Sequence, residues 1–175
     1  MSASGADMEA IDRNQRTALN IAAESGNFAA MKALINRGAN VNDDKILFAV
    51  AGRFKPGKIK QEIMELLLKN KVKIPSGLLY SAVSNGDIDL VKFLIDRGAD
   101  VNAPDDYDNT TLLMRIAQPN TGISGLLKPE LVKLFLSNGA DVNARNKNGE
   151  TALSIANKSS TSEIVKLLKQ HGAKR

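Results

Sequence analysis

The sequence predicts an all-α stack of repeated helix–turn–helix units, and three observations carry that prediction. One phrase is written three times, as LINRGANVND at 34–43, LIDRGADVNA at 94–103 and FLSNGADVNA at 135–144. Apolar residues ahead of each copy recur at helical spacing, so they share one face of a helix. A glycine follows each apolar run, and a residue able to take positive φ just past the last turn is what stops a helix. Self-similarity at a period of this size is the signature of a solenoid, in which each unit buries its apolar face only against its neighbours.

The elements follow in order. Helix stops fall at Gly38, Gly98, Gly139 and, in a looser copy at the end, Gly172. Asn70 after MELLLK takes the remaining place, since asparagine is the usual substitute for glycine in the left-handed region. The stops divide the chain into five units at about 12–42, 43–74, 75–102, 103–143 and 144–175, with residues 1–11 as an N-terminal extension of low expected order. Each unit opens on a short helix. Thr17, Ala18, Leu19, Ile21 and Ala22 recur as Thr151, Ala152, Leu153, Ile155 and Ala156, and more loosely as Thr111, Leu113 and Ala117. A longer amphipathic helix follows, with Phe28, Met31 and Leu34 in the first unit and Ile88, Val91, Leu94 and Ile95 in the third.

These residues resemble the ankyrin repeat family, whose units open on threonine-proline-leucine-histidine-x-alanine and close on glycine-alanine-aspartate-x-asparagine. DRNQRTALNIAAESGNFAAMKALINRGANVN at 12–42 and NKNGETALSIANKSSTSEIVKLLKQHGA at 146–173 match almost position by position, and the resemblance covers roughly residues 12–173. It implies a solenoid with two full-length β-hairpin or turn fingers, at 102–111 and 143–151, and clipped junctions after Asn42 and Ile74. Alanine stands for the family's proline at Ala18 and Ala152, and Asn20 and Ser154 stand for its histidine, which is expected to weaken the turn network. Units two and four carry extra residues between their own helices, at 53–60 and 118–128, and Ile123, Leu126 and Leu127 in the second insertion either pack down or meet a partner.

Composition removes several chemistries. The chain has 175 residues, 43% of them hydrophobic, enough for a buried core. It has no cysteine, so no disulfide, thiolate nucleophile or cysteine-ligated zinc is available. No apolar run approaches about 18 residues, the length that spans a bilayer. The lone His171 sits at a helix end, where its charge suits the dipole rather than catalysis. Asp100, Asp105, Asp106 and Asp108 cluster, but the stretch lacks the glycine and the bidentate glutamate of a calcium loop. With no phosphate loop or nucleophile elbow either, no enzyme, metal or cofactor is expected. The 24 Lys and Arg against 19 Asp and Glu leave a mild +5 that names no compartment, the cytoplasm being the default and export not excluded.

The resemblance therefore implies a monomeric protein-binding module, an adaptor or an inhibitor, whose partner is another protein such as an enzyme held inactive. Mapping the family's contact positions gives Ser84 and Asn85 in unit three. It gives Tyr107, Asp108, Thr110 and Met114 in unit four, where Asp105 and Asp106 add to a negative rim, and Arg145, Lys147, Asn148, Glu150 and Lys158 in unit five. The rival reading takes RFKPGKIK at 53–60 as a grip on nucleic acid or an acidic surface. It is the weaker one, because only Phe54 could stack a base there.

Overall fold

The computed structural model describes residues 6–53, 57–69, 74–159 and 162–174, and these hold ten helices. In chain order they are α1 (Ala18–Glu24), α2 (Phe28–Asn36), α3 (Asp44–Arg53), α4 (Lys58–Lys69), α5 (Ser76–Ser84), α6 (Ile88–Asp96), α7 (Leu112–Ala117), α8 (Lys128–Ser137), α9 (Ala152–Lys158) and α10 (Ser162–Gln170). The helices come in consecutive pairs, the second of each longer than the first except in the third pair, where α5 and α6 have nine residues each. Asn70, the expected helix stop of the second unit, lies outside the described residues, as do Phe54, Lys55 and the Arg53 side chain.

The chain divides into two compact units, Met1–Ser81 and Ala82–Arg175. In the first, α1 packs on α3 and α2 on α4, around Leu19, Met31, Leu47, Ile63 and Leu67. In the second, α7 packs on α9 and α8 on α10, around Leu113, Leu131, Val132, Phe135 and Leu168. Stacking of like on like is how a helix with one apolar face satisfies it.

Local chemistry sets where each helix begins. Thr17 and Thr151 cap α1 and α9 in reciprocal fashion: the threonine hydroxyl accepts from the backbone of Asn20 or Ser154, whose side chain accepts from the threonine N–H. Asn20 and Ser154 were expected to weaken this network, yet both complete it, and Asn20 Nδ2 also donates to Asp43 Oδ2 at 2.7 Å. Asn27 and Asp87 cap α2 and α6 by accepting from Ala30 N at 3.0 Å and Leu90 N at 3.1 Å. In the two units with insertions, a buried lysine stands in the first turn of the longer helix, Lys60 in α4 and Lys128 in α8. Each donates to a carbonyl at the end of the preceding helix. Lys60 Nζ reaches Ala51 O at 2.7 Å, and Lys128 Nζ reaches Gln118 O. A cation there also meets the negative end of the helix dipole. Burial pushes the Lys128 amine below its usual range.

The recurring phrase now has a second purpose beyond stopping a helix. Asn102 Nδ2 donates to Gly139 O at 3.0 Å and its Oδ1 accepts from Asp141 N at 2.7 Å. Asn143 repeats this one unit later, donating to Gly172 O at 3.2 Å and accepting from Lys174 N at 2.8 Å. Asn102 and Asn143 thus each hold the turn of the following phrase. Residues 6–11, expected to stand outside the repeats, take part in the same pattern: Glu9 Oε1 accepts from Asn40 N at 2.8 Å.

Candidate partner-binding site

The first finger, 102–111, is built on Asp105. Its Oδ1 accepts from Asp108 N at 2.9 Å and Thr110 N at 3.3 Å, and Asp108 Oδ1 accepts from Thr110 N at 3.0 Å. Asp105 N donates to Thr110 O at 3.0 Å beside a single antiparallel bridge between Pro104 and Thr111, and Asn109 takes φ 58° to close the turn. Asp105 Oδ2 pairs with Arg115 at 2.7 Å. Burial by itself would raise the Asp105 carboxyl, but hydrogen bonds from Asp108 and Thr110 and the Arg115 charge hold it below the usual range.

Asn146 does the same work in the second finger, 143–151. Its Oδ1 accepts from Asn148 N at 3.1 Å and Glu150 N at 2.9 Å, and its own N–H donates to Glu150 O at 3.1 Å. Glu150 pairs with Lys158 at 2.7 Å, and that hydrogen bond lowers its carboxyl. Residues 12–16 form a third loop of this kind. Asp12 Oδ1 accepts from Asn14 N at 2.8 Å and Arg16 N at 3.0 Å, and Arg16 pairs with Glu24 at 2.8 Å. Hydrogen bonds from Arg16 lower the Asp12 carboxyl. Of the two forms expected for the fingers, hairpin or turn, the described residues hold turns, with one isolated bridge and no strand among them.

The two fingers are fastened to each other. Lys147 N donates to Asp108 O at 2.8 Å, and Lys147 Nζ donates to Tyr107 O at 2.6 Å. Tyr107 stands at the tip with 89% of its surface exposed. Asp106, Arg145, Lys147, Asn148 and Asn85 are also exposed, Ser84 and Asp108 are half-buried, and Arg145 Nη1 donates to Gly149 O at 2.7 Å. Thr110 and Met114 stand differently from the other expected contact residues. Both are buried, Met114 on the core side of α7, so neither side chain meets solvent. Asp105 is paired with Arg115 of α7, and Glu150 with Lys158 of α9.

Sequence reasoning missed the residues that hold this surface, Asn146 and Arg115, and the paired asparagines Asn102 and Asn143. The recurrence of asparagine at the fifth place of GADVN was the available signal. The basic stretch fares differently. Lys58 and Ile59 are exposed on α4, but Lys60 is buried on Ala51 O and is not presented to a phosphate. In the other insertion Ile123 packs down, Leu127 lies against Gly86, and Leu126 is 91% exposed. No helix among the described residues is long and apolar enough to cross a membrane, and no group of His, Cys, Asp and Glu among them could hold a metal ion.

Comparison with known proteins places these features. Models described as ankyrin repeats match residues 14–43, 79–115 and 123–175. A fowlpox virus chain named for ankyrin repeats, FPV024, is 62% identical over 34 residues, which is 19% of this chain and 5% of that one. Alpha-latrocrustotoxin-Lt1a of Latrodectus tredecimguttatus is 34% identical over 103 residues, 54% of this chain and 7% of the toxin. The chain thus spans a small fraction of the length of either relative. The crystal structure of EF0377, an ankyrin repeat protein, superposes with a TM-score of 0.72 at 28% identity, covering 94% of this chain and 85% of that one. Stacked helix pairs, threonine caps and the recurring closing phrase, together with these matches, make this chain a member of the ankyrin repeat family.

Proposed function

We propose that the chain binds another protein through the tips of its two fastened fingers, with Tyr107 as the anchor. Ankyrin repeats are in general protein-interaction modules. The observation that carries the present reading is a nearly fully exposed tyrosine on a turn held by Lys147 from the neighbouring finger. Burial of an aromatic anchor is where interface energy concentrates, and a tip fixed before binding loses little ordering entropy. Asp106 on one side and Arg145 on the other give the anchor a rim of both signs. The same arrangement suits an adaptor or an inhibitor that covers an enzyme's surface, and the finger residues serve either role.

The test is a substitution series against a partner recovered from native lysate. Tyr107→Ala should weaken binding by about 1–2 kcal/mol or more while leaving the melting temperature unchanged. Arg145→Glu should weaken it in the same direction. Lys58→Ala and Leu126→Ala should have little effect. Silence at Tyr107 and Arg145 together with loss at Lys58 or Leu126 would move the site to the insertions and sink this reading.

A further inference from the structure

The first and last helix pairs carry different outer surfaces. Aligned on Gly38 and Gly172, Ala30, Ala33 and Leu34 take the places of Ile164, Leu167 and Leu168. Aligned on Thr17 and Thr151, Ala18, Ile21 and Ala22 take the places of Ala152, Ile155 and Ala156. In the last pair all of these are buried, and α7 and α8 are the helices packed on α9 and α10. In the first pair Ala22 alone is buried, and the other five places are at least partly open. Ile21 is 39% exposed where Ile155 is 5%, and a groove of about 420 Å³ lies between α1 and α2, lined by Ala18, Ile21, Ala22, Ala30, Ala33 and Leu34.

A second observation points the same way. The chain reaches this face in the posture of a helix pair that has just ended. Asp7 Oδ1 accepts from Glu9 N at 2.9 Å, as Asp100 does from Asn102 N and Asp141 from Asn143 N, both at 2.8 Å. Glu9 then holds Asn40 N as Asn102 holds Asp141 N and Asn143 holds Lys174 N. The letters agree, with GADMEA at 5–10 beside GADVNA at 98–103 and 139–144.

We infer that the groove between α1 and α2 is a stacking seat for a further ankyrin-type helix pair, one whose end face is apolar like that of α7 and α8. Internal equivalence identifies the occupant: wherever these places are buried in the last pair, a preceding helix pair buries them. A second copy of this chain does not present such a face. On the last pair, the places of buried Ala23, Met31 and Ile35 are held by Asn157, Val165 and Lys169, and Asn157 and Lys169 are exposed. Pressing an amide and an amine into an alanine-lined groove would strand both without partners.

Two measurements on the full chain test this. Asn157→Ala with Lys169→Ile gives the chain the missing apolar end, so that the variant's last pair becomes the probe. Light scattering should show the unaltered protein monomeric and the variant's mass rising with concentration, and adding Ile21→Lys should return the variant to a monomer. In the second, residues 103–138 are fused ahead of Gly5, so that the added pair runs in register into GADMEA. The melting temperature should rise by on the order of 5 °C, and Ile21→Lys should remove the gain. Ile21→Lys in the unfused chain, at an already exposed place, should leave melting unchanged. The inference fails if the variant stays monomeric, if either effect survives Ile21→Lys, if the fusion melts no higher, or if the unaltered protein dimerises through Ile21.

Discussion

A single side chain can do one of three things in this fold: fill a stack, stop a helix or hold the next turn. Leu94 fills. It is fully buried in α6, so Leu94→Ala removes transfer energy and leaves a cavity, at a cost of roughly 2–5 kcal/mol in urea unfolding. Gly98 stops. It sits at φ +86° with open space where a Cβ would stand, so Gly98→Val should cost on the order of 1–3 kcal/mol through backbone strain alone, and Gly98→Asn distinctly less. Asn102 holds. Asn102→Ala removes both bonds to the next phrase and should cost about 1–2 kcal/mol, with hydrogen exchange at Asp141 N rising as the local sign of that loss.

At the level of elements, the fingers should be sensitive to acid. Asp12, Asp105 and Glu150 all sit below their ordinary values of 3.8, 3.8 and 4.5. A carboxylate depressed in the folded state contributes stability that is complete above its unfolded pKa and is lost as pH falls through the folded one. Stability should therefore be level near neutrality and decline below about pH 4, and Asp105→Asn should flatten part of that decline. Much of the helical scheme was legible, because a closing glycine and a threonine cap are local rules that a sequence displays openly. The fingers were less so. Their turn residues were recognisable, but whether Lys147 reaches a partner or the backbone of Tyr107 depends on where a neighbouring unit lies. The burial of Thr110 in the finger and of Met114 in α7 was hidden for a related reason: a mapped contact position says nothing of how deeply its segment is sunk. Asp7 to Ala10 escaped notice because Met8 and Glu9 disguise the phrase, while the backbone bonding keeps it.

Over the whole molecule, the chain carries a formal charge of +5, and Lys60 of the basic stretch is turned inward onto Ala51 O. Binding to duplex DNA should be no tighter than the non-specific range of about 10⁻⁴–10⁻⁶ M at physiological salt, and titration at two salt concentrations would show it; submicromolar affinity for one sequence would refute it. The two inward-turned lysines have a practical consequence. An acylating reagent attacks only amines that it can reach in their uncharged form, so the exposed Lys58, Lys92 and Lys133 should be modified while the protein is folded. Lys60 and Lys128, each tethered to a carbonyl at the end of the preceding helix, should resist until α3 parts from α4, or α7 from α8. Peptide mapping after brief acylation would then time the opening of each of those two joints separately, with the chain's own amines as the clocks.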